Sequence, residues 1–210
     1  MSRALTLVVV AIVVIGAFIM LRSHHDITRS AQDGFNTQEI TAQSNPNFQN
    51  WREFVSASGH FKVMLPSLPQ HVSDKIVDPQ TKELRKYETF ITVGDNGEAF
   101  MVSSITFSRN IEEEIGGESL KAIINDMLLR NKINKLNSMN PSVHHSFYAF
   151  EFSITSGDLL ISGKIFAKGN TVYLISMINK SDSFDEKELN FFLNSFDINN
   201  DKTKTKAKVG

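Results

Sequence analysis

The chain has 210 residues, a formal net charge of −1 and no cysteine. That length suits one ordinary domain with appendages, and the balanced charge gives no global argument for nucleic acid or an acidic ligand. Lacking cysteine excludes disulfides, thiolate metal sites, cysteine nucleophiles and lipidation at cysteine.

Residues 4–21 read ALTLVVVAIVVIGAFIML, without a charge. At helical rise this run spans roughly 27 Å, close to the hydrocarbon thickness of a bilayer. A signal peptide has a shorter apolar region that ends at small residues. Here the run ends in Ile19, Met20, Leu21 and Arg22, so the expectation is an uncleaved anchor behind a short tip at 1–3. Arg3 before the span and Arg22 and Arg29 after it nearly balance under the positive-inside rule. The orientation chosen, tip in the cytoplasm and body outside, follows what short-tipped anchors commonly do. Residues 22–47 carry scattered apolar positions without a period and read as a tether. His24 and His25 in it read as a membrane flank.

A folded body is expected over 48–198. Trp51 to Val55 reads as a first strand, Ser58-Gly59 as a turn, and Phe61, Val63 and Leu65 as one face of the partner strand. Pro66 ends the pairing because it lacks a donor, which also accounts for the Pro66-x-x-Pro69 spacing without invoking a proline-motif ligand. Val72 to Val77 is a weaker strand. Tyr87, Thr89, Ile91 and Val93 alternate, GDNG at 94–97 supplies the turn, and 99–107 returns.

A helix is expected within 118–135, with Leu120, Ile123, Ile124, Met127 and Leu128 as its apolar stripe. Glu112, Glu113, Glu114 and Glu118 suit its positive N-terminal end, a better account of that charge run than a metal site. Residues 137–141 read as a short loop. Tyr148, Phe150, Phe152 and Ile154 line one face of the next strand. Turns at 156–158 and 169–170 then set strands at 159–167 and 171–178, an antiparallel meander. Its last two strands are apolar on both faces and call for cover on both. Ser183 and Glu186 fit a capping box for a closing helix with Leu189, Phe192, Leu193 and Phe196 as its stripe. Residues 199–210 form a lysine-rich tail, expected to be disordered and read as solvated in preference to lipid-binding. The fold class expected is α+β, an antiparallel sheet covered by helices and preceded by a transmembrane helix.

The order W-x-x-F-x-S-x-x-G-x-F-x-V-x-L-P-x-x-P at 51–69, with Gly163-Lys164-Ile165-Phe166, Val172-Tyr173-Leu174-Ile175 and Asn194-Ser195-Phe196, resembles bacterial envelope proteins of the PsbP-like α/β/α sandwich superfamily. The resemblance covers about 48–198. It implies a binding or assembly module without catalysis, and it carries no active-site motif.

No serine-hydrolase elbow, phosphate loop or H-E-x-x-H motif is present in the sequence. Tyr148, Phe150 and Phe152 lack a basic neighbourhood, so core packing explains them better than stacking on bases. If a site exists, His60, His71, His144 and His145 are its candidates; His144 and His145, adjacent on the approach to a strand, are expected to point to opposite faces. A zinc site would need three or four converging ligands. The reading is therefore a non-enzyme: a bacterial inner-membrane, single-pass, periplasmic interaction module with a protein partner and no cofactor, metal or nucleic acid. The alternative is an envelope enzyme or a small-ligand or metal binder using a cleft between sheet and helix.

Overall fold

The computed structural model describes residues 48–58, 60–77, 82–112 and 116–198. The expected anchor at 4–21, tether at 22–47 and tail at 199–210 lie outside the described residues, as do Gly59, Glu113 and Glu114. Among the described residues no helix is long and apolar enough to cross a membrane.

Ten strands and two helices follow in order: β1 Arg52–Val55, β2 Phe61–Leu65, β3 Gln70–Val77, β4 Leu84–Val93, β5 Ala99–Thr106, α1 Gly117–Arg130, β6 Asn134–His144, β7 Phe147–Ser156, β8 Leu159–Lys168, β9 Thr171–Lys180, α2 Glu186–Ser195 and β10 Asp197–Ile198. Two meanders, β3 to β5 and β6 to β9, join through antiparallel β5 and β9. They form one seven-stranded sheet in the order β3-β4-β5-β9-β8-β7-β6. Every ladder is antiparallel. A small sheet, β1-β2-β10, lies apart from it.

Period-two alternation splits the apolar residues between the two faces of the large sheet. One face carries Met101, Phe150, Phe152, Ile165 and Leu174 beneath α1, whose Leu120, Ile124 and Met127 are buried with Ile123 and Leu128 packed beside them. The other carries Phe90, Phe100, Phe166, Tyr173 and Met177 beneath α2 and the small sheet. The opening stretch supplies much of that second cover. Trp51 meets Phe100 edge-on at 4.8 Å, and Phe61 stacks on Phe196 at 5.1 Å. Its signature is therefore the start of a domain.

The expected α+β sandwich with a helix-covered sheet is overturned. Strands hold 55% of the described residues and helices 17%, in two helices only, so the fold is β-rich. The α/β/α arrangement implied by the resemblance falls with it. One cause is at 131–144. α1 stops at Arg130, before the expected limit, because Asn131 takes an extended backbone, φ −132° and ψ 122°, and its side chain accepts the Ile133 N–H. The expected loop at 137–141 is the middle of β6, an eleven-residue strand. Its polar, half-exposed side chains hide the alternation. Pro141 is tolerated there because β6 is an edge strand. A second cause is that strands supply part of the cover on the α2 face, through Phe61, Val63 and Leu65 of β2.

The closing helix has a different cap from the one expected. Asp185 is the N-cap, its carboxylate accepting the Lys187 N–H at 2.8 Å, while the Ser183 hydroxyl donates to Asp182.

Candidate functional site: an open sheet edge and two titratable clusters

The two edges of the large sheet are built differently. β6 is guarded by Pro141, which has no N–H to offer, and by a register shift between Leu136 and Ser138. β3 pairs residue for residue with β4 over all eight positions, from Gln70 with Ile91 to Val77 with Leu84. It contains no proline, and seven of its eight side chains are exposed. Val72 and Val77 are 52% and 55% exposed. Among the described residues no strand pairs with its other side.

One detail orients that free side. Asp74 Oδ1 accepts the Lys75 N–H at 2.7 Å. A side chain cannot fit between paired strands, so this N–H points away from β4. Backbone groups of a strand alternate in direction, so Ser73 points its N–H and carbonyl outward as well. The Asp74 carboxylate stands where the carbonyl of a further strand would sit.

Behind this edge lies a charged cluster on the α2 face. Glu88 is buried, with His71 Nε2 at 3.4 Å from one oxygen and Lys86 Nζ at 2.9 Å from the other. The His71 ring lies flat on Phe90, 4.3 Å between centroids and 5° between planes. These contacts hold the end of β3 against β4. The chemistry is that of a polar buttress, in which the Lys86 ammonium and the His71 imidazole compensate a buried carboxylate.

His60 lies in the β1–β2 turn, exposed, its N–H donating to Ser56 Oγ at 3.1 Å. His144 ends β6, and His145 opens the two-residue turn to β7 with φ +53°. That left-handed backbone swings the second ring round, so the two imidazoles converge, contrary to the expectation of opposite faces. Their centroids are 4.5 Å apart, and both Nε2 atoms reach the Phe196 carbonyl, at 3.2 and 2.9 Å. They satisfy the carbonyl of the α2 C-cap. Burial, then the charge of His145, pushes His144 down to about 4. The structure thus brings His144 and His145 together and leaves His60 and His71 apart from them. Among the described residues no group of three or more histidine or acidic side chains is placed to hold a metal.

Glu112 accepts the Gly169 N–H at 2.8 Å and Lys168 Nζ at 3.2 Å. The Gly169 bond, with Lys168, holds its carboxyl below the usual range. It fastens the β8–β9 turn, a role that the charge run did not suggest.

A second titratable cluster was not legible in sequence. Glu98, at the start of β5, is 2% exposed, and its Oε2 has no hydrogen-bond partner among the described residues. Glu188 in the first turn of α2 is half-buried and lies beside the Glu98 carboxyl. Burial first, then the Glu98 carboxyl, pushes Glu188 up to about 7. A carboxyl out of water beside a second carboxyl holds its proton to higher pH. Only the tertiary fold brings these residues together.

No family model and no curated protein matches the chain. Among solved structures it is similar to a protein from Bacteroides thetaiotaomicron VPI-5482, at 12% identity and a TM-score of 0.39. That match covers 73% of this chain and 50% of the other, so this chain spans about half the length of that neighbour. A likeness of this degree carries no argument about fold or function, and the PsbP-like resemblance rests on its sequence motifs.

Proposed function

We propose that this protein is a membrane-tethered, non-catalytic interaction module of the bacterial envelope. Residues 4–21 anchor it in the inner membrane, and the domain at 48–198 meets a protein partner on the periplasmic side. The observation that supports this reading is the contrast between the sheet edges. β6 carries the devices that prevent pairing with another chain, and β3 offers a regular ladder. An open edge is a general way to bind a protein through backbone hydrogen bonds.

The test is crosslinking of the full-length protein in its native membranes, followed by capture. Wild type, His145→Ala and Ser73→Pro are compared. Proline at 73 removes an outward N–H and no bond to β4, so the fold is retained. The reading expects a stoichiometric partner with wild type and His145→Ala, lost with Ser73→Pro. Absence of any partner above background with wild type would overturn it. The alternative, an enzyme or ligand binder, would instead show activity or a bound small molecule that disappears in folded His71→Ala or His145→Ala.

A further inference from the structure

We infer that β3 accepts an eighth, antiparallel strand from a different polypeptide, one whose consecutive residues opposite Lys75 and Asp74 are acidic and then basic. This rests on the reading of the domain as an interaction module and names the kind of partner that its edge fits.

The occupant follows from the chemistry of the edge. Outward N–H and carbonyl groups at Ser73 and Lys75 require extended backbone, since only a strand presents donors and acceptors at matching intervals. The sheet is antiparallel throughout, and its twist continues most simply with another antiparallel strand. An arriving carbonyl takes the Lys75 N–H and releases Asp74 from its local bond. The freed carboxylate then lies opposite a partner side chain on the α1 face. A basic residue there compensates it, and an acidic residue opposite Lys75 does the same on the α2 face. In antiparallel order the partner reads acidic then basic from its N-terminus. Val72 and Ile76 flank Asp74 on its face, so apolar β-branched residues suit the partner positions opposite them.

A second copy of this chain fits poorly. Two β3 strands related by a two-fold axis normal to the sheet place one residue opposite itself. Centring on Asp74 sets carboxylate against carboxylate, and centring on Lys75 sets two ammonium groups together. Centring on Ser73 puts Lys75 opposite His71 and leaves Asp74 opposite Val72, without compensation. Like charges directly opposite each other are destabilising.

The absence of cysteine permits a clean trap. Full-length Ser73→Cys protein is equilibrated in a glutathione buffer with the peptide Val-Val-Glu-Lys-Cys-Val-Thr or with the charge-exchanged Val-Val-Lys-Glu-Cys-Val-Thr. In the inferred register the two cysteine positions lie opposite each other, about 5.5 Å apart at Cα, within disulfide reach. The expected result is mixed disulfide with the first peptide, favoured about three- to tenfold over the second. The preference should reverse when Asp74→Lys and Lys75→Glu are added. Equal trapping of both peptides would overturn the charge assignment. Preference for the second would overturn the order of charges inferred for the partner. A covalent homodimer as the main product would replace the foreign strand with a second copy. None of these three outcomes touches partner capture in membranes, which tests the module reading separately.

Discussion

Glu188 and His144 bind protons in opposite senses, and the sole tryptophan can report on both. Glu188 has a folded pKa of about 7, above the ordinary 4.5. The folded state therefore holds its proton longer, so this contribution to stability is complete below 4.5 and lost as pH rises towards about 7. His144 has a folded pKa of about 4, below the ordinary 6.5. The unfolded chain takes that proton first, so this contribution is complete above 6.5 and lost as pH falls towards 4. Between 4.5 and 6.5 the two slopes oppose, and from 6.5 to 7 Glu188 acts alone. Trp51 packs against Phe100 and against Phe191 of α2, so its fluorescence follows unfolding in urea. Glu188→Gln should abolish the fall in midpoint from pH 6.5 to 7, and His144→Gln should leave a midpoint that rises as pH falls from 6.5 to 4.5, the window in which the two slopes oppose in wild type. A Glu188→Gln midpoint that declined from pH 6.5 to 7 as in wild type would refute the raised proton affinity of Glu188. Gly163 gives a second residue-scale prediction. A Cβ there would collide with the Ile175 carbonyl and crowd Ser176 Cα, both fixed in the β8–β9 ladder. Gly163→Ala should cost about 1–3 kcal/mol in urea unfolding, as overpacking in a core does. Unchanged stability would show that the ladder yields there.

The elements differ in how strongly they are fixed. α2 buries Leu189, Phe192 and Leu193 against the sheet, and Phe192 has no exposed surface. Phe192→Ala should cost about 3–5 kcal/mol, whereas Val72→Ala, on exposed β3, should stay within about 0.5 kcal/mol. Urea melts of the two variants check this contrast, and a cost at Val72 comparable to that at Phe192 would mean that β3 is part of the core. The same difference explains what could be read from sequence. Strands β4, β5, β7, β8 and β9 have clear apolar faces or continuous apolar runs between turn residues, and their pairing is the antiparallel one expected. The stripe of α1 was equally plain. β6 reads KLNSMNPSVH over most of its length and has no buried side chain before His144, so no period marked it. β3, mostly exposed and of mixed polarity, showed only as a weak strand from Val72 to Val77. The histidine pair was visible as residues, but its convergence depends on a left-handed backbone at His145 that no apolar pattern announces.

At the scale of the molecule, two meanders meet at β5 and β9 and leave the sheet with two unlike ends. The core is closed on one face by α1 and on the other by α2 with the small sheet, so variation at β3 can proceed without disturbing it. The carboxyl pair and the histidine pair sit at opposite ends of α2 and bear on stability. The β3 edge is where the module would meet another chain. The measurement that tests this most directly is capture of crosslinked partners from native membranes by wild type and by Ser73→Pro, with both proteins shown folded by Trp51 fluorescence. The account predicts a stoichiometric partner with wild type that disappears when proline occupies position 73. A partner captured equally by both proteins would contradict the role of the β3 edge.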